Sequence, residues 1–261
     1  MPCRTPLGPI VALATFLVAP RASAQVNAEA LRTTLKANPK ILSIEGALVG
    51  HAGNTQTLTF SGSVFGGIHY GHSVFFTKAS ADYGAAMDVT NVARWMTHAR
   101  YNYEFTERFA LEVFAQAQHD RFRRIEVRDL YGVGVRHAFY SDTDSDIFVG
   151  TSYMLEHESI STLANGGGIG GENNVWNRNS TYLGLNSKIS PLVDGATTTY
   201  IQPRFDRPKD YRVLSESWLS VQITKVLSAK VSGSLWYDSE PPIGVKTFDL
   251  EVKNSLIVKL N

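Results

Sequence analysis

Arg94-Trp-Met-Thr-His-Ala-Arg-Tyr-Asn-Tyr-Glu104 alternates between two kinds of side chain, and this alternation decides the fold. One parity carries tryptophan, threonine, alanine and two tyrosines. The other parity carries Arg94, His98, Arg100, Asn102 and Glu104. Successive side chains of a β-strand point to opposite faces of the sheet. The stretch therefore predicts a strand with one apolar, aromatic face and one densely charged face.

The next two segments repeat the pattern. Phe109, Leu111, Val113 and Ala115 oppose Glu112, Gln116 and Gln118, with Phe114 as the exception, and Tyr131, Val133, Val135 and Phe139 oppose Arg128 and Arg136. A barrel with lipid outside and water inside has this arrangement. The segment 71–83 fits least well, since Val74 and Phe76 share a parity with Lys78 and Asp82.

The first 24 residues have the features of a secretory signal peptide. Arg4 precedes the apolar run 10–19, and Ala22-Ser-Ala24 resembles a cleavage site. The alternative is an N-terminal anchor helix, but the apolar run is about half of the ~20 residues that span a bilayer. We therefore predict cleavage after Ala24.

Charge and cysteine content exclude several classes of function. Removal of the signal peptide takes away Arg4 and Arg21, which leaves 23 basic against 24 acidic residues, and this balance argues against a nucleic-acid partner. Cys3, the only cysteine, lies in the signal peptide, so the mature chain has no disulfide, thiol nucleophile or thiolate metal site. No later stretch is apolar for ~18 residues, so a membrane-spanning mature chain must close as a barrel.

We predict a short N-terminal helix followed by about twelve strands. Residues 27–37 can form the helix because Asn27 can cap it and Leu31 and Leu35 are spaced four apart. The predicted strands are 41–52, 55–66, 71–83, 92–104, 108–119, 127–139, 146–157, 175–188, 197–206, 211–223, 228–238 and 246–260. The domains are then a signal peptide at 1–24, a periplasmic segment with the helix at 25–40, and an antiparallel up-and-down transmembrane barrel at 41–261.

The connections between these strands differ in length. Short ones such as 105–108 and 141–146 alternate with longer polar ones at 84–91, 120–126, 159–174 and 239–245. Outer-membrane barrels have short periplasmic turns and long surface loops. The glycine-rich 166–171 lies in a long connection without the strand–turn–helix context of a phosphate-binding loop, so we interpret it as a loop tip.

Three stretches carry a resemblance to a known family. They are Ala99–Gln118, then Asp120–Arg124 with Arg128–Arg136, and finally Tyr237–Lys246 with Asp249 and Lys253–Leu256. With Gly53-Asn54-Thr55 they cover roughly residues 41–260. The chain resembles the YdiY-like salt-induced outer-membrane protein family, domain of unknown function 481. The resemblance implies an outer-membrane barrel and no established activity or catalytic residues.

The candidate site is a set of charged and polar side chains on the inner parity of the strands. Its members are Arg94, His98, Arg100, Glu104, Glu112, Arg128, Arg136, Arg204, Arg212 and Glu216. They can form an eyelet or binding surface in a channel, or a network that braces a narrow lumen. Barrels of ~8 strands are filled by side chains and those of ~16 are open, so twelve strands fall between the two. We favour bracing, and we expect opposite charges to pair inside.

Two other kinds of site have weaker support. His157 and Ser159 share one face at a strand end, similar to the His-x-Ser arrangement of outer-membrane lipid A deacylases, where an acidic residue completes the triad. The match is limited to these two residues, and we favour the simpler interpretation of polar residues at a strand-to-loop edge. The seven histidines (His51, His69, His72, His98, His119, His137 and His157) form no tight cluster in sequence, so we predict no metal site and no cofactor.

These observations predict a non-enzymatic barrel in the outer membrane of a Gram-negative bacterium. Its partners would be outer-membrane lipid, the barrel-assembly machinery and small polar solutes. Its role would be envelope maintenance or a narrow, weakly selective passive pore. The alternatives are an outer-membrane lipid-modifying hydrolase, which needs an acidic partner for His157 and Ser159, and a soluble periplasmic β-barrel binding protein, which needs a water-compatible outer face.

Overall fold

Twelve antiparallel strands form one closed barrel in the computed structural model, which describes residues 35, 39–51, 57–86, 89–162 and 171–260. Each strand pairs with its neighbours in sequence, and β12 pairs with β1. The strands are β1 Lys40–His51, β2 Thr57–Tyr70, β3 Ser73–Ala86, β4 Val89–Glu104, β5 Phe109–Asp120, β6 Ile125–Ser141, β7 Ser145–Ile160, β8 Glu172–Ser190, β9 Val193–Pro203, β10 Tyr211–Gln222, β11 Leu227–Asp238 and β12 Phe248–Leu260. The predicted all-β barrel of about twelve strands is confirmed.

The predicted N-terminal features lie almost entirely outside the residues that the structure describes. The signal peptide at 1–24 lies outside the described residues, and so does the helix at 27–37 except for Leu35. Leu35 is itself helical, and residues Arg121–Arg123 form a 3-10 turn between β5 and β6. Asp120 caps this turn by accepting hydrogen bonds from the amides of Phe122 and Arg123.

No helix in the described part of the chain is long and apolar enough to cross a membrane.

The outer face of the barrel is apolar over most of its surface. Tyr101, Val113, Val133 and Leu250 point outward and are 39–48% exposed, as are many other large apolar side chains. The opposite parity of each strand points into the lumen and is mostly polar, and on β4–β7 it is also mostly buried. Exposed apolar surface of this extent requires a covering environment.

Phe114, the exception on β5, points into the lumen. A Cβ atom placed on Gly132 of the neighbouring strand would lie 2.2 Å from its ring, so the glycine makes room for the phenyl group. At this position of the inner face, a phenylalanine packed over a glycine stands where the neighbouring cross-strand pairs carry polar side chains.

The apolar side chains on β3 also point inward. Val74 and Phe76 are fully buried and form a cluster with Leu35, Phe65 and Met96. Leu35 lies in the lumen near the end of the barrel that carries Lys40 and Leu260. The irregular parity of β3 follows from this, because the inner face needs apolar side chains where it contacts a leucine rather than water.

The connections are short at one end of the barrel and long at the other. At the terminal end, which carries Lys40 and Leu260, the turns are 71–72, 105–108, 142–144, 191–192 and 223–226. At the opposite, loop end, the connections 161–171, 204–210 and 239–247 are longer. The predicted loop at 84–91 is wrong, because a register shift at Gly84/Ala85 lets β3 and β4 continue pairing to Ala86 and Val89.

The ladder that closes the barrel is short. β1 and β12 pair from Leu42↔Leu260 to Gly46↔Leu256, whereas β1 and β2 pair along the whole of β1. We call this β1–β12 ladder the seam.

Candidate functional site

The ten side chains predicted from parity lie on the inner side of the barrel wall. Eight are buried and two, Glu104 and Glu216, are half-buried. The buried members are Arg94, His98, Arg100, Glu112, Arg128, Arg136, Arg204 and Arg212. They do not form one eyelet, because their partners divide them into separate groups at different depths.

The largest group surrounds Glu156 near the loop end. The carboxylate of Glu156 lies 2.5 Å from both Arg128 and Arg178, and it also contacts Arg212. Strands β6, β7 and β8 bring the first three residues together as neighbours, and Arg212 reaches across from β10. Burying so many charges is tolerable only because opposite signs meet.

Further carboxylates complete this network. Arg212 also contacts Glu158 at 3.1 Å and Asp238 at 2.8 Å. Asp210 joins Arg178 at 2.9 Å to Arg204 at 3.0 Å. The network therefore ties five strands (β6, β7, β8, β10 and β11) to the connection 204–210.

A second group lies nearer the terminal end and combines charge with aromatic rings. Arg100 is 3.7 Å from Glu112, and the Tyr182 hydroxyl donates to the same carboxylate at 2.6 Å. Arg136 pairs with Asp146 at 2.5 Å and lies 4.3 Å from the centre of the Phe148 ring. These contacts fill the lumen between β4 and β8.

The lumen is divided along its length into two halves. Inner side chains of β4–β9, which we call the packed half, are almost all buried; Glu156 and Thr198 are fully buried. Inner side chains of β10–β12 and β1–β3, the open half, are mostly half-buried, and the Lys253 side chain keeps 26% of its exposure. Water therefore reaches the inner wall on one side of the barrel and is excluded from the other.

Small and charged residues explain the access of water to the open half. Ser63, Ser80, Ser232 and Ser234 leave space that the aromatic rings of the packed half would occupy. The charges there alternate in sign. Asp82 contacts Arg94 at 2.6 Å and Lys253 at 2.9 Å, Glu251 contacts Arg94 at 2.6 Å, and Glu45 contacts Lys230 at 2.9 Å. This inner wall presents no long run of a single sign.

Several residues of the lumen were missing from the predicted set. They are Glu45, Lys78, Asp82, Asp146, Glu156, Glu158, Arg178, Asp210, Lys230, Asp238, Glu251 and Lys253. Most share the inner parity of their strands, so the alternation could have identified them. Their pairing could not be read from the sequence, because closure of the barrel joins Arg94 to Glu251, 157 positions away.

Side chains of the loop end connect neighbouring loops. Arg124, at a left-handed φ of 61°, donates to the Ser161 carbonyl at 2.9 Å and to the Ile243 carbonyl at 2.7 Å. The Ser239 hydroxyl donates to the Lys209 carbonyl at 3.0 Å. The four connections that begin at 121, 161, 204 and 239 are thereby held together at the loop end.

Electrostatics at the loop end follow from burial and pairing. Burial lowers the pKa of the Arg123 guanidinium to about 10, and this group lies 3.7 Å from the centre of the Trp236 ring. Hydrogen bonds from Arg204 lower the pKa of Asp206 in the 204–210 connection. A cavity of about 10 Å³ between Arg123, Arg128 and Pro242 has room for about one water molecule.

His157 and Ser159 point outward. His157 Nδ1 lies 3.7 Å from Asp129 Oδ2, so an acidic side chain does neighbour the histidine. Ser159 is the next outward residue of β7 and faces Val127. Among the described residues, no three histidine, cysteine or carboxylate side chains are arranged to hold a metal ion.

Comparison with known proteins gives a family match and a solved structure of similar fold. A model of the family described as "Protein of unknown function, DUF481" matches residues 44–260. A solved NanC porin is similar in fold, with a TM-score of 0.51 and 9% identity over 85% of this chain and 100% of that chain. No curated protein matches the sequence.

Two further solved structures give lower TM-scores. A KdgM porin in complex with disordered oligogalacturonate has a TM-score of 0.44 and 8% identity, over 85% of this chain and 98% of that one. The translocator domain of the autotransporter NalP from Neisseria meningitidis has a TM-score of 0.45 and 12% identity, over 90% and 95%.

Proposed function

Because this chain belongs to DUF481, a family of proteins of unknown function, we propose its function from the geometry of the barrel. The barrel spans the outer membrane of a Gram-negative bacterium, with lipid against its apolar outer face and the loop end at the cell surface. The predicted signal peptide at 1–24 would direct export, and the barrel-assembly machinery would insert the chain. The closer resemblance to YdiY-like salt-induced proteins and the helix at 27–37 stay predictions.

The protein would act as a narrow, weakly selective passive pore that serves maintenance of the envelope. The division of the lumen carries this proposal, since the open half offers a polar path and the packed half closes the rest of the cross-section. Opposite charges alternate along the path, so neither anions nor cations are strongly excluded. Passage would be limited to ions and small polar solutes, without catalysis.

Cysteine accessibility tests the path directly, because Cys3 is the only native cysteine and lies in the predicted signal peptide. Ser63→Cys and Ser234→Cys place a thiol in the open half. Ser152→Cys and Ser180→Cys are matched controls on buried positions of the packed half. Each variant is refolded into lipid vesicles and treated with a charged, membrane-impermeant thiosulfonate, and its single-channel conductance is recorded in a planar bilayer.

The open-half thiols should react within minutes and the reaction should reduce conductance, whereas the packed-half thiols should stay unreacted. Equal reactivity of both pairs, or no reaction at positions 63 and 234, would refute the pore. Refolding is verified separately by the different gel mobility of boiled and unboiled samples, so loss of the barrel is not mistaken for loss of the path.

A second candidate is an outer-membrane lipid hydrolase. The contact between Asp129 and His157 supports it, because an acidic group that orients a histidine can prepare it to deprotonate a hydroxyl such as that of Ser159. The test is fatty-acid release from an acyl-ester lipid in mixed micelles. The hydrolase would be favoured if Ser159→Ala abolishes fatty-acid release and the outward control Ser217→Ala retains it. Equal release by the two variants would exclude it.

A further inference from the structure

A groove of about 510 Å³ runs along the outer face over β3–β7. Its floor is low because Ala99 and Ala115 face each other across β4 and β5. Tyr101 and Tyr131 stand at its sides, and apolar atoms make up nearly all of its lining. It is therefore a defined concavity in the apolar outer face.

The walls of the groove are fixed by contacts outside it. The Tyr101 hydroxyl shares a hydrogen bond of 2.9 Å with Ser73. Tyr153 donates to Asn177, and its ring stacks on Phe205 with centroids 6.0 Å apart. Side chains held in this way keep the groove open and ready for a ligand.

The upper end of the groove is polar. Asp129 and His157 are cross-strand neighbours directly above Tyr131 and Leu155, and Ser159 lies one outward position beyond His157. The side chains of Asp129 and His157 keep 28% and 46% of their exposure. A carboxylate acceptor and two donors thus meet an apolar groove on the side facing the loop end.

We propose that this groove binds one amine-bearing phospholipid. An acyl chain occupies the groove, the ammonium donates to Asp129, and His157 and Ser159 donate to the phosphate oxygens. The polarity of the two ends fits a lipid whose headgroup lies toward the loop end. The inference rests on the proposed function in one respect, that lipid covers the outer face.

Native mass spectrometry of the full-length barrel tests this site. The protein is released from detergent after incubation with phosphatidylethanolamine, phosphatidylcholine or phosphatidylglycerol of identical acyl chains. The wild-type protein should retain one lipid molecule, and it should prefer phosphatidylethanolamine to the other two lipids. Phosphatidylcholine cannot donate hydrogen bonds, and phosphatidylglycerol has no ammonium group. Ala115→Phe fills the groove and should reduce retention about tenfold.

Two variants separate the parts of the site. Asp129→Asn should remove the preference for phosphatidylethanolamine while acyl-chain binding persists. Ala229→Phe adds the same ring to the outer face of β11, away from the groove, and should bind like wild type. Equal retention of all three lipids by wild type, or no effect of Ala115→Phe, would overturn the proposal. Insertion into vesicles is scored independently by gel mobility, so failure of the site and failure to insert give different results.

Discussion

Glu156 is the single residue on which the packed half depends most. Its carboxylate is fully buried and is shared by three arginines, each from a different strand. Removing one partner of a buried ion pair costs more than the pair itself contributes, because the remaining charges lose their compensation. Here the loss would leave several cations close together in a dry interior.

Glu156→Gln should therefore lower the free energy of unfolding by about 3–5 kcal/mol. The measurement is urea unfolding in detergent micelles, followed by tryptophan fluorescence. Glu240→Gln is the control, since the Glu240–Arg207 pair is exposed and should contribute about 1 kcal/mol or less. Similar losses in the two variants would argue against a dry network.

Asp206 gives the 204–210 connection a defined response to acid. Hydrogen bonds from Arg204 lower the pKa of its carboxyl, so the folded loop favours the charged form. This stabilisation is complete above the ordinary aspartate pKa of about 4 and is lost as the pH falls through the lowered value. Amide exchange of residues 204–210, corrected for intrinsic rates, should accelerate below about pH 4, and Asp206→Asn should remove this dependence on pH.

At the scale of elements, strand positions could be predicted well and strand ends less well. A period of two runs through most strands because the apolar outer face and the polar lumen demand opposite side chains. Residues 84–91 looked like a loop because glycine and polar residues interrupt the pattern, yet after a register shift the ladder continues to Ala86 and Val89. The irregular β3 could not be understood from its own residues, since Leu35 is the cause.

The contact of Leu35 with β2, β3 and β4 leads to a prediction about the terminal end of the lumen. Leu35→Ala removes a fully buried side chain and should cost about 2 kcal/mol, with an increase in single-channel conductance because the space that the leucine fills in the lumen becomes free. Leu42→Ala, on the exposed outer face of β1, should leave conductance at the wild-type value. An unchanged conductance in Leu35→Ala would mean that the leucine does not restrict the path.

At the scale of the whole molecule, the barrel and its polar interior could be predicted from alternation alone. The division into packed and open halves could not, because it depends on which side chains meet after closure. Arg100 and Arg136 looked equivalent to Arg94 in sequence. Pairing of neighbouring strands places the first two beside aromatic rings and Arg94 opposite Asp82. Closure of the barrel then brings Arg94 to Glu251 of the open half.

Val133→Arg tests whether the outer face contacts lipid. Val133 is 48% exposed near the middle of β6, where an arginine facing the centre of a bilayer costs about 2–4 kcal/mol. The variant should give a smaller fraction of heat-modifiable, folded barrel in vesicles than Val133→Leu. The same yield for both substitutions, or recovery of wild type from the soluble periplasm, would contradict a membrane barrel.

The seam has a consequence for the order of assembly. Closing it joins residues such as Glu45 and Ser255, 210 positions apart, so its entropic cost is the largest in the fold while its ladder is short. We expect the seam to form last during assembly and to open first during unfolding. Glu45 of β1 stabilises the closed seam, because it contacts both Ser255 of β12 and Lys230 of β11. Since the seam lies within the open half, loss of the Glu45 contacts would open the proposed path through the barrel wall, as a lateral exit.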